Sequence, residues 1–143
     1  MIEWSWMVLA VVPLAILLQN LLHELSHVFV GMRREGREPK ELVIWPHRFN
    51  DKWYWARTLH GPPRRRDPSR LMHLAPVWQS LFVCLVTGIL FLILPPAQKI
   101  FVLPSFGAAA ATIIYFWWCY FFTKNPYTDG YRYRHGENNN ALS

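Results

Sequence analysis

Positively charged residues are missing from long parts of this 143-residue chain, and cysteine is scarce throughout. Lys and Arg are absent from residues 4–30, 74–94 and 100–122, and each of these windows is long enough for a helix that crosses a hydrocarbon core of about 30 Å. A soluble globular domain is therefore excluded. The 2 cysteines, Cys84 and Cys119, lie within apolar windows and form no CxxC motif, so a structural disulfide is not expected.

The positive charge is concentrated in one loop. Eleven of the 15 Lys and Arg residues fall between Arg33 and Arg70, within a formal net charge of +6. Cationic residues accumulate on the cytoplasmic side of spanning helices, so this basic loop is predicted to face the cytoplasm and the anionic headgroups of the bilayer. The arginine run at 64–66 is interpreted either as a headgroup contact or as a solvated loop. No nucleic-acid partner is expected, because a membrane accounts for the charge.

The charge pattern also predicts the fold and its orientation. We expect an all-α polytopic membrane protein, a single membrane domain over 1–143, with three transmembrane helices at 4–31, 74–94 and 100–123 and an outside turn at 95–99. The N-terminus is expected outside. The loop over 32–72 and the Asp-Gly segment with its polar tail over 124–143 are expected in the cytoplasm, because Lys124, Arg132 and Arg134 follow the third helix.

The residues at both ends of the chain indicate the structure expected there. The first apolar stretch has no basic leading region, so it is predicted to be a retained helix rather than a cleaved signal peptide. Residues 136–143 are polar and include three consecutive asparagines, which is typical of a frayed terminus.

The loop between the first two helices contains a predicted β-hairpin over 41–60. Residues 42–45 and 53–55 are β-branched or aromatic, and residues 49–52 between them have turn chemistry. Pro46 would confine the first strand to an edge or a bulge. Two roles remain open for this hairpin: an edge to which an extended substrate adds as a strand, or an aromatic surface that packs on the headgroups.

Residues 23–27 read HELSH, an HExxH sequence within the first predicted helix. Positions i and i+4 share a helix face, so His23 and His27 can bind one Zn²⁺ while Glu24 lies beside a water. Each ionisable residue within a span costs roughly 2.5 to 3.5 kcal/mol on insertion scales, and Gln19 and Asn20 add polarity one turn earlier. Such a cluster indicates a functional site, and the alternative is hydrogen bonding between neighbouring helices.

Two histidines leave a catalytic zinc one protein ligand short. The predicted topology returns Asp129 to the membrane side of His23 and His27. Pro126 and Gly130 interrupt helical hydrogen bonding around it, which allows an inward-pointing carboxylate. The second choice is His73, and the wider set of candidates comprises His47, His60, His135, Asp51, Asp67 and the remaining Glu residues.

Together these motifs resemble the catalytic core of the site-2 protease family of intramembrane zinc metalloproteases. The likeness covers most of residues 15–131 and rests on HELSHVFVG at 23–31, LAP at 74–76 and NPYTDG at 125–130. It implies a three-helix core, Zn²⁺ held by His23, His27 and Asp129, catalysis by Glu24, and substrate binding by Asn125.

The chain departs from the family pattern at three points. Ala75 stands where Gly usually precedes the Pro, and Gln79 stands in place of a following Asn. The Asp-Gly element is reached from Asn125 over a shorter stretch, and it is followed by a polar tail where the family has more helix.

The resemblance implies an intramembrane zinc endopeptidase that cuts transmembrane or membrane-anchored proteins near the cytoplasmic face. Glu24 would take a proton from water and return it to the leaving amine, a contribution of typically 10² to 10⁴-fold. Two other interpretations stay open. One is a membrane zinc hydrolase of a lipid or small amide, and the other is a non-catalytic scaffold with a closed metal site that recruits, for example, His73.

Overall fold

The computed structural model describes residues 2–49, 51–62, 64 and 70–135, and most of them are helical. The long helices are α1 (Ile2–Val30), which a π-helical turn at Gly31–Glu35 continues, α2 (Leu71–Ile93) and α3 (Pro96–Phe122). A short helix, α4 (Asp129–His135), follows them. Four short strands lie between α1 and α2, namely β1 (Pro39–Val43), β2 (His47–Phe49), β3 (Lys52–Tyr54) and β4 (Arg57–His60).

The three long helices are long and apolar enough to cross a membrane. The candidate spans are Leu9–Glu35, Leu71–Ile93 and Pro96–Phe122, of 27, 23 and 27 residues. Their outer surface is apolar, with Leu92 80% exposed and Ile114 70% exposed. Exposing such surface to water is unfavourable by about 25 cal/mol per Å², whereas lipid tails would surround it without this cost. The expectation of three helices of spanning length is confirmed.

The helix boundaries differ from the expected ones at α2 and α3. Helix α2 begins at Leu71 rather than at 74, so His73 lies in its first turn and Pro76 lies inside it. Helix α3 begins at Pro96, so the connection expected at 95–99 is shorter and lies at 94–95. Proline is favoured at the first position of a helix, because its missing N–H would have no helical partner there and its φ is already helical.

The structure of the segment after Asp129 also differs from the expected one. It forms helix α4 over Asp129–His135 instead of a polar tail. The asparagine-rich residues at 136–143 lie outside the described part of the chain.

The β insert is one long hairpin with a break in its middle. Strand β1 pairs antiparallel with β4, and β2 pairs antiparallel with β3 around a turn in which Asp51 has a φ of 60°. Pro46, which lacks an N–H, lies between the two ladders, as the sequence predicts. At this break Asn20 of α1 donates from Nδ2 to the carbonyls of Ile44 (3.3 Å) and Trp55 (3.4 Å). The hairpin is thereby attached to α1.

A polar cluster joins the three long helices between their ends. Gln19 Nε2 of α1 lies 2.9 Å from Ser80 Oγ and 3.3 Å from Gln79 Oε1, both on α2, and 3.3 Å from Thr112 Oγ1 on α3. Ser80 is completely buried. Polar groups inside a membrane need partners within the protein, so this cluster favours one mutual arrangement of the helices. Gln19 lies one turn before His23, so the cluster also fixes the position of the HExxH segment.

Candidate metal centre

Helix α1 carries two polar stripes, each with the four-residue spacing of one helix face. Gln19, His23 and His27 form the first stripe, which faces α2, α3 and the start of α4. Asn20 and Glu24 form the second stripe, which faces the β insert. The HExxH segment therefore presents its histidines and its glutamate to different neighbours.

The histidine stripe meets Asp129 at the start of α4. Oδ2 of Asp129 lies 3.3 Å from Nε2 of His23 and 3.1 Å from Nε2 of His27. Within the described part of the chain, these side chains form the group of three whose ligand atoms all lie within 4.8 Å of one another. Two imidazole nitrogens and a carboxylate oxygen around one point are a donor set that suits Zn²⁺. The three residues expected from the sequence as metal ligands are thus brought together.

The tautomer of His27 is fixed by a carbonyl of α2. Its Nδ1 lies 2.8 Å from the Met72 carbonyl oxygen, and since a carbonyl oxygen only accepts, Nδ1 carries the hydrogen. In a regular helix that carbonyl would accept from the N–H of residue 76, but Pro76 has none. The proline thus leaves Met72 without its helical donor, and His27 takes that place. Nε2 is then the nitrogen of His27 that faces Asp129, and it could bind a metal once it has lost its hydrogen.

Asp129 reaches the histidines because α4 packs closely on the end of α3. A Cβ at Gly130 would stand 2.3 Å from the Phe116 carbonyl oxygen and 2.5 Å from the Tyr120 nitrogen. Only glycine permits this approach of two backbones. This contact explains why a glycine follows Asp129. The glycine allows α4 to pack against α3, and the aspartate beside it points to α1.

Asp129 is held as a carboxylate. Burial raises the pKa of its carboxyl, but the charge of His27 and the hydrogen bonds to His23, His27 and His73 outweigh burial and keep that pKa well below its usual range. The ionised form is the one that binds a metal. His73 contacts the second carboxylate oxygen, with its Nδ1 3.0 Å from Oδ1.

Glu24 is buried where α1 meets the insert. Its side chain is reached by strand β4, where Thr58 Oγ1 donates to Glu24 Oε2 at 2.5 Å. One carboxylate oxygen of Glu24 is thus engaged by a hydroxyl, which fixes the orientation of the side chain. At the far tip of the insert, the Lys52 ammonium lies 4.8 Å from the ring centre of Tyr127, so the insert reaches from α1 to the loop before Asp129.

Asn125 forms the turn that precedes α4. Its Oδ1 accepts from the Tyr127 N–H at 3.2 Å, and its carbonyl accepts from the Thr128 N–H at 3.3 Å. These local bonds shape the loop that leads to Asp129. The expected contact with substrate stays a prediction.

The other candidate histidines and Asp51, which the structure describes, lie elsewhere. His47 Nδ1 contacts the Trp45 carbonyl at 2.9 Å, His60 packs near Gly31, and His135 stacks on Tyr131 with ring centres 4.4 Å apart. Asp51 is exposed at the hairpin turn, and Asp67 and the arginines at 65 and 66 lie outside the described residues.

Comparison with models of known families, with curated proteins and with solved structures gives no match. Function is therefore inferred from the geometry of the site.

The sequence does not indicate the roles of Thr58 and Met72 at the site, nor the partners of Asn20. Thr58 lies 34 positions from Glu24 along the chain, and no local pattern connects them. Met72 contacts His27 through its backbone carbonyl, so the type of its side chain does not indicate this contact. Asn20 was noted as polar within a span, but its partners are carbonyls of a hairpin whose break only Pro46 indicates.

Proposed function

We propose that this protein is an intramembrane zinc endopeptidase of the site-2 protease type. It hydrolyses peptide bonds of transmembrane or membrane-anchored proteins near the cytoplasmic face. The observation that carries the proposal is the convergence of His23 and His27 from α1 with Asp129 from α4, beside the buried Glu24. Four ionisable groups within or next to apolar helices are costly to insert into a bilayer, so their presence indicates a function.

The donor set fits a catalytic zinc. The proposed ligands are three in number, which leaves a fourth position for water or substrate, and the His23 side chain is 24% exposed, so this side of the cluster can be reached. When bound, Zn²⁺ lowers the pKa of a coordinated water towards about 7 and polarises a carbonyl oxygen. His23, His27 and Asp129 hold the ion.

Glu24 moves the proton. Its carboxylate accepts a proton from the attacking water and returns it to the nitrogen of the leaving amine. Because Thr58 engages Oε2, the proton acceptor is Oε1. Burial in this position keeps bulk water away from the carboxylate, so its orientation is set by the protein.

The insert supplies a surface for the substrate. A transmembrane helix must unwind locally before a peptide bond is accessible, and extended peptides are commonly bound by addition to the edge of a sheet. The hairpin is attached to α1 at Asn20 and at Glu24, so an antiparallel ladder lies next to the proposed proton acceptor. Asn125 is proposed as a further contact with the substrate.

The orientation in the bilayer follows from the charges. The basic loop between α1 and α2 and the basic α4, which carries Arg132 and Arg134, lie at the cytoplasmic face, and the start of α1 lies outside. This multi-pass arrangement puts the metal cluster near the cytoplasmic end of the spans. Substrates would then be cut close to that face.

Glu24→Gln tests the proposal. The variant keeps the shape of the side chain but cannot accept a proton, so we expect about one zinc per chain, as in the unaltered protein, and cleavage reduced by 10² to 10⁴-fold. The measurements are metal content of the purified protein and cleavage of a model transmembrane peptide in detergent or vesicles. His23→Ala is the matched variant, and it should lose the zinc together with the activity.

Three outcomes would contradict the proposal. Full activity in Glu24→Gln would exclude the proton-transfer role. Hydrolysis of lipid or small amide substrates, with no cleavage of the peptide, would favour a different hydrolase. Stable zinc with no hydrolysis of any of these probes would favour a structural metal site.

A further inference from the structure

The carboxylate of Asp129 is contacted from two sides. Oδ2 faces the Nε2 atoms of His23 and His27, and Oδ1 lies 3.0 Å from Nδ1 of His73. We propose that His73 is a positioning residue that holds Asp129 through Oδ1, so that Oδ2 alone is presented to the metal. This inference rests on the proposed zinc site.

The placement of the donor atoms separates His73 from the ligands. The group of mutually close ligand atoms consists of those of His23, His27 and Asp129. The Nδ1 of His73 is directed to the opposite oxygen of the carboxylate. A carboxylate oxygen only accepts, so Nδ1 of His73 donates its hydrogen to Oδ1.

Engaging Oδ1 has a consequence for coordination. A carboxylate that is free at both oxygens can bind a metal with both, and this would fill the position that a catalytic zinc needs for water or substrate. With Oδ1 bound by His73, Asp129 would offer only Oδ2 to a metal. A bound zinc would then have room for water or substrate beside three protein ligands.

One short part of α2 orients ligands from two other helices. The carbonyl of Met72 binds Nδ1 of His27 from α1, and the side chain of His73 binds Asp129 from α4. Both α2 residues are buried, with exposed fractions of 3% and 4%, so these contacts are shielded from water. Removing such an outer partner typically costs 10- to 100-fold in metal affinity.

The test is the zinc affinity of the full chain in detergent, measured by competition with a chromophoric chelator. His73→Leu removes the donor and should weaken zinc binding by about 10- to 100-fold. His73→Asn keeps an N–H donor close to the position of Nδ1, so it should bind zinc within a few-fold of the unaltered protein. His135→Leu changes an exposed histidine of α4 outside the cluster, and its affinity should not change.

Cobalt substitution provides the second readout. If His73 only positions Asp129, the visible bands of bound Co²⁺ should keep their wavelengths in His73→Leu, because the ligand set is the same. They should shift in Asp129→Ala, where a ligand is lost. This readout does not depend on any substrate or on activity.

The outcomes are distinguishable. Zinc affinity in His73→Leu equal to that of the unaltered protein would overturn the inference, and so would a shift of its Co²⁺ bands, which would make His73 a ligand. Equal weakening in His73→Asn and His73→Leu would also overturn it, because a donor would not rescue. No zinc binding by the unaltered protein, or full binding by Asp129→Ala, would instead overturn the proposed zinc site, and this inference with it.

Discussion

At the scale of single residues, the proposed metal ligand His23 and the proposed proton acceptor Glu24 are adjacent in α1 but face different neighbours. His23 and His27 face Asp129, while Glu24 faces strand β4 and is held there by Thr58. The HExxH spacing predicts which residues share a face, and this was enough to choose the histidines. The partner of Glu24 could not be predicted, because it depends on how the insert folds back onto α1.

Thr58→Val tests whether this hydroxyl orients Glu24. Valine has nearly the shape of threonine but donates no hydrogen bond, so Glu24 loses a fixed orientation while the metal ligands are untouched. We expect kcat for a model transmembrane peptide to fall about tenfold, which corresponds to about 1.4 kcal/mol, with KM and zinc content unchanged. Thr58→Ser keeps the hydroxyl and should retain most of the activity. An unchanged kcat in Thr58→Val would mean that the hydrogen bond has no role in the reaction.

At the scale of elements, the position of α4 depends on its contact with α3. The sequence indicates a break in helical structure at Pro126 and Gly130 and an inward carboxylate. Pro126 lies in a turn and Asp129 faces His23 and His27, but the expected break at Gly130 is wrong, because Gly130 is the second residue of α4. The helix after Asp129 was not predicted, because seven residues are too few for a helix to be stable alone. It forms against α3, where Tyr133 packs beside Phe116 and Tyr120.

Gly130→Ala should displace α4 from α3. The new methyl group would stand 2.3 Å from the Phe116 carbonyl oxygen, and backbone atoms cannot give way as a flexible side chain can. We expect zinc affinity to fall by at least tenfold, because Asp129 moves with the helix, and chelator competition measures this. Gly107→Ala is the matched control on α3, since its Cβ would meet nothing within 4 Å. Equal affinities in the two variants would contradict the role given to Gly130.

The insert shows a further limit of sequence reasoning at this scale. The aromatic and β-branched runs and the turn indicated a hairpin, and a hairpin is found. The sequence predicts its first strand at 42–45, but β1 ends at Val43, and pairing resumes in β2 after the break around Pro46. The lost ladder contacts are replaced by an amide from α1, Asn20, which is a tertiary contact that no local pattern contains.

At the scale of the whole molecule, hydropathy and charge were sufficient to predict three helices of spanning length. Hydropathy and charge are summed over about twenty residues, so a single unfavourable residue, such as Pro104 within α3 or Glu24 within α1, does not change the prediction. What they could not supply is the mutual arrangement of the helices. That depends on particular contacts, such as the bonds from Gln19 to Ser80 and Thr112.

The proposed orientation can be tested with single cysteines introduced at exposed positions. Asp51→Cys on the insert and His135→Cys on α4 should react with a membrane-impermeant maleimide only from the cytoplasmic side. Gln98→Cys, near the start of α3, should react only from outside. The parent protein gives the background, since Cys84 and Cys119 lie within the spans. Labelling of Asp51→Cys and His135→Cys from opposite sides would exclude the three-span arrangement.

The ribosome makes His23 well before Asp129, because the two residues are far apart in the sequence. The two residues are 106 positions apart, so at about 5 to 20 residues per second Asp129 is made roughly 5 to 20 s after His23. During that interval α1 carries an HExxH segment with only two of the three proposed ligands. The proposed enzyme is therefore inactive while it is being made, and it becomes competent only after its last spanning helix is complete.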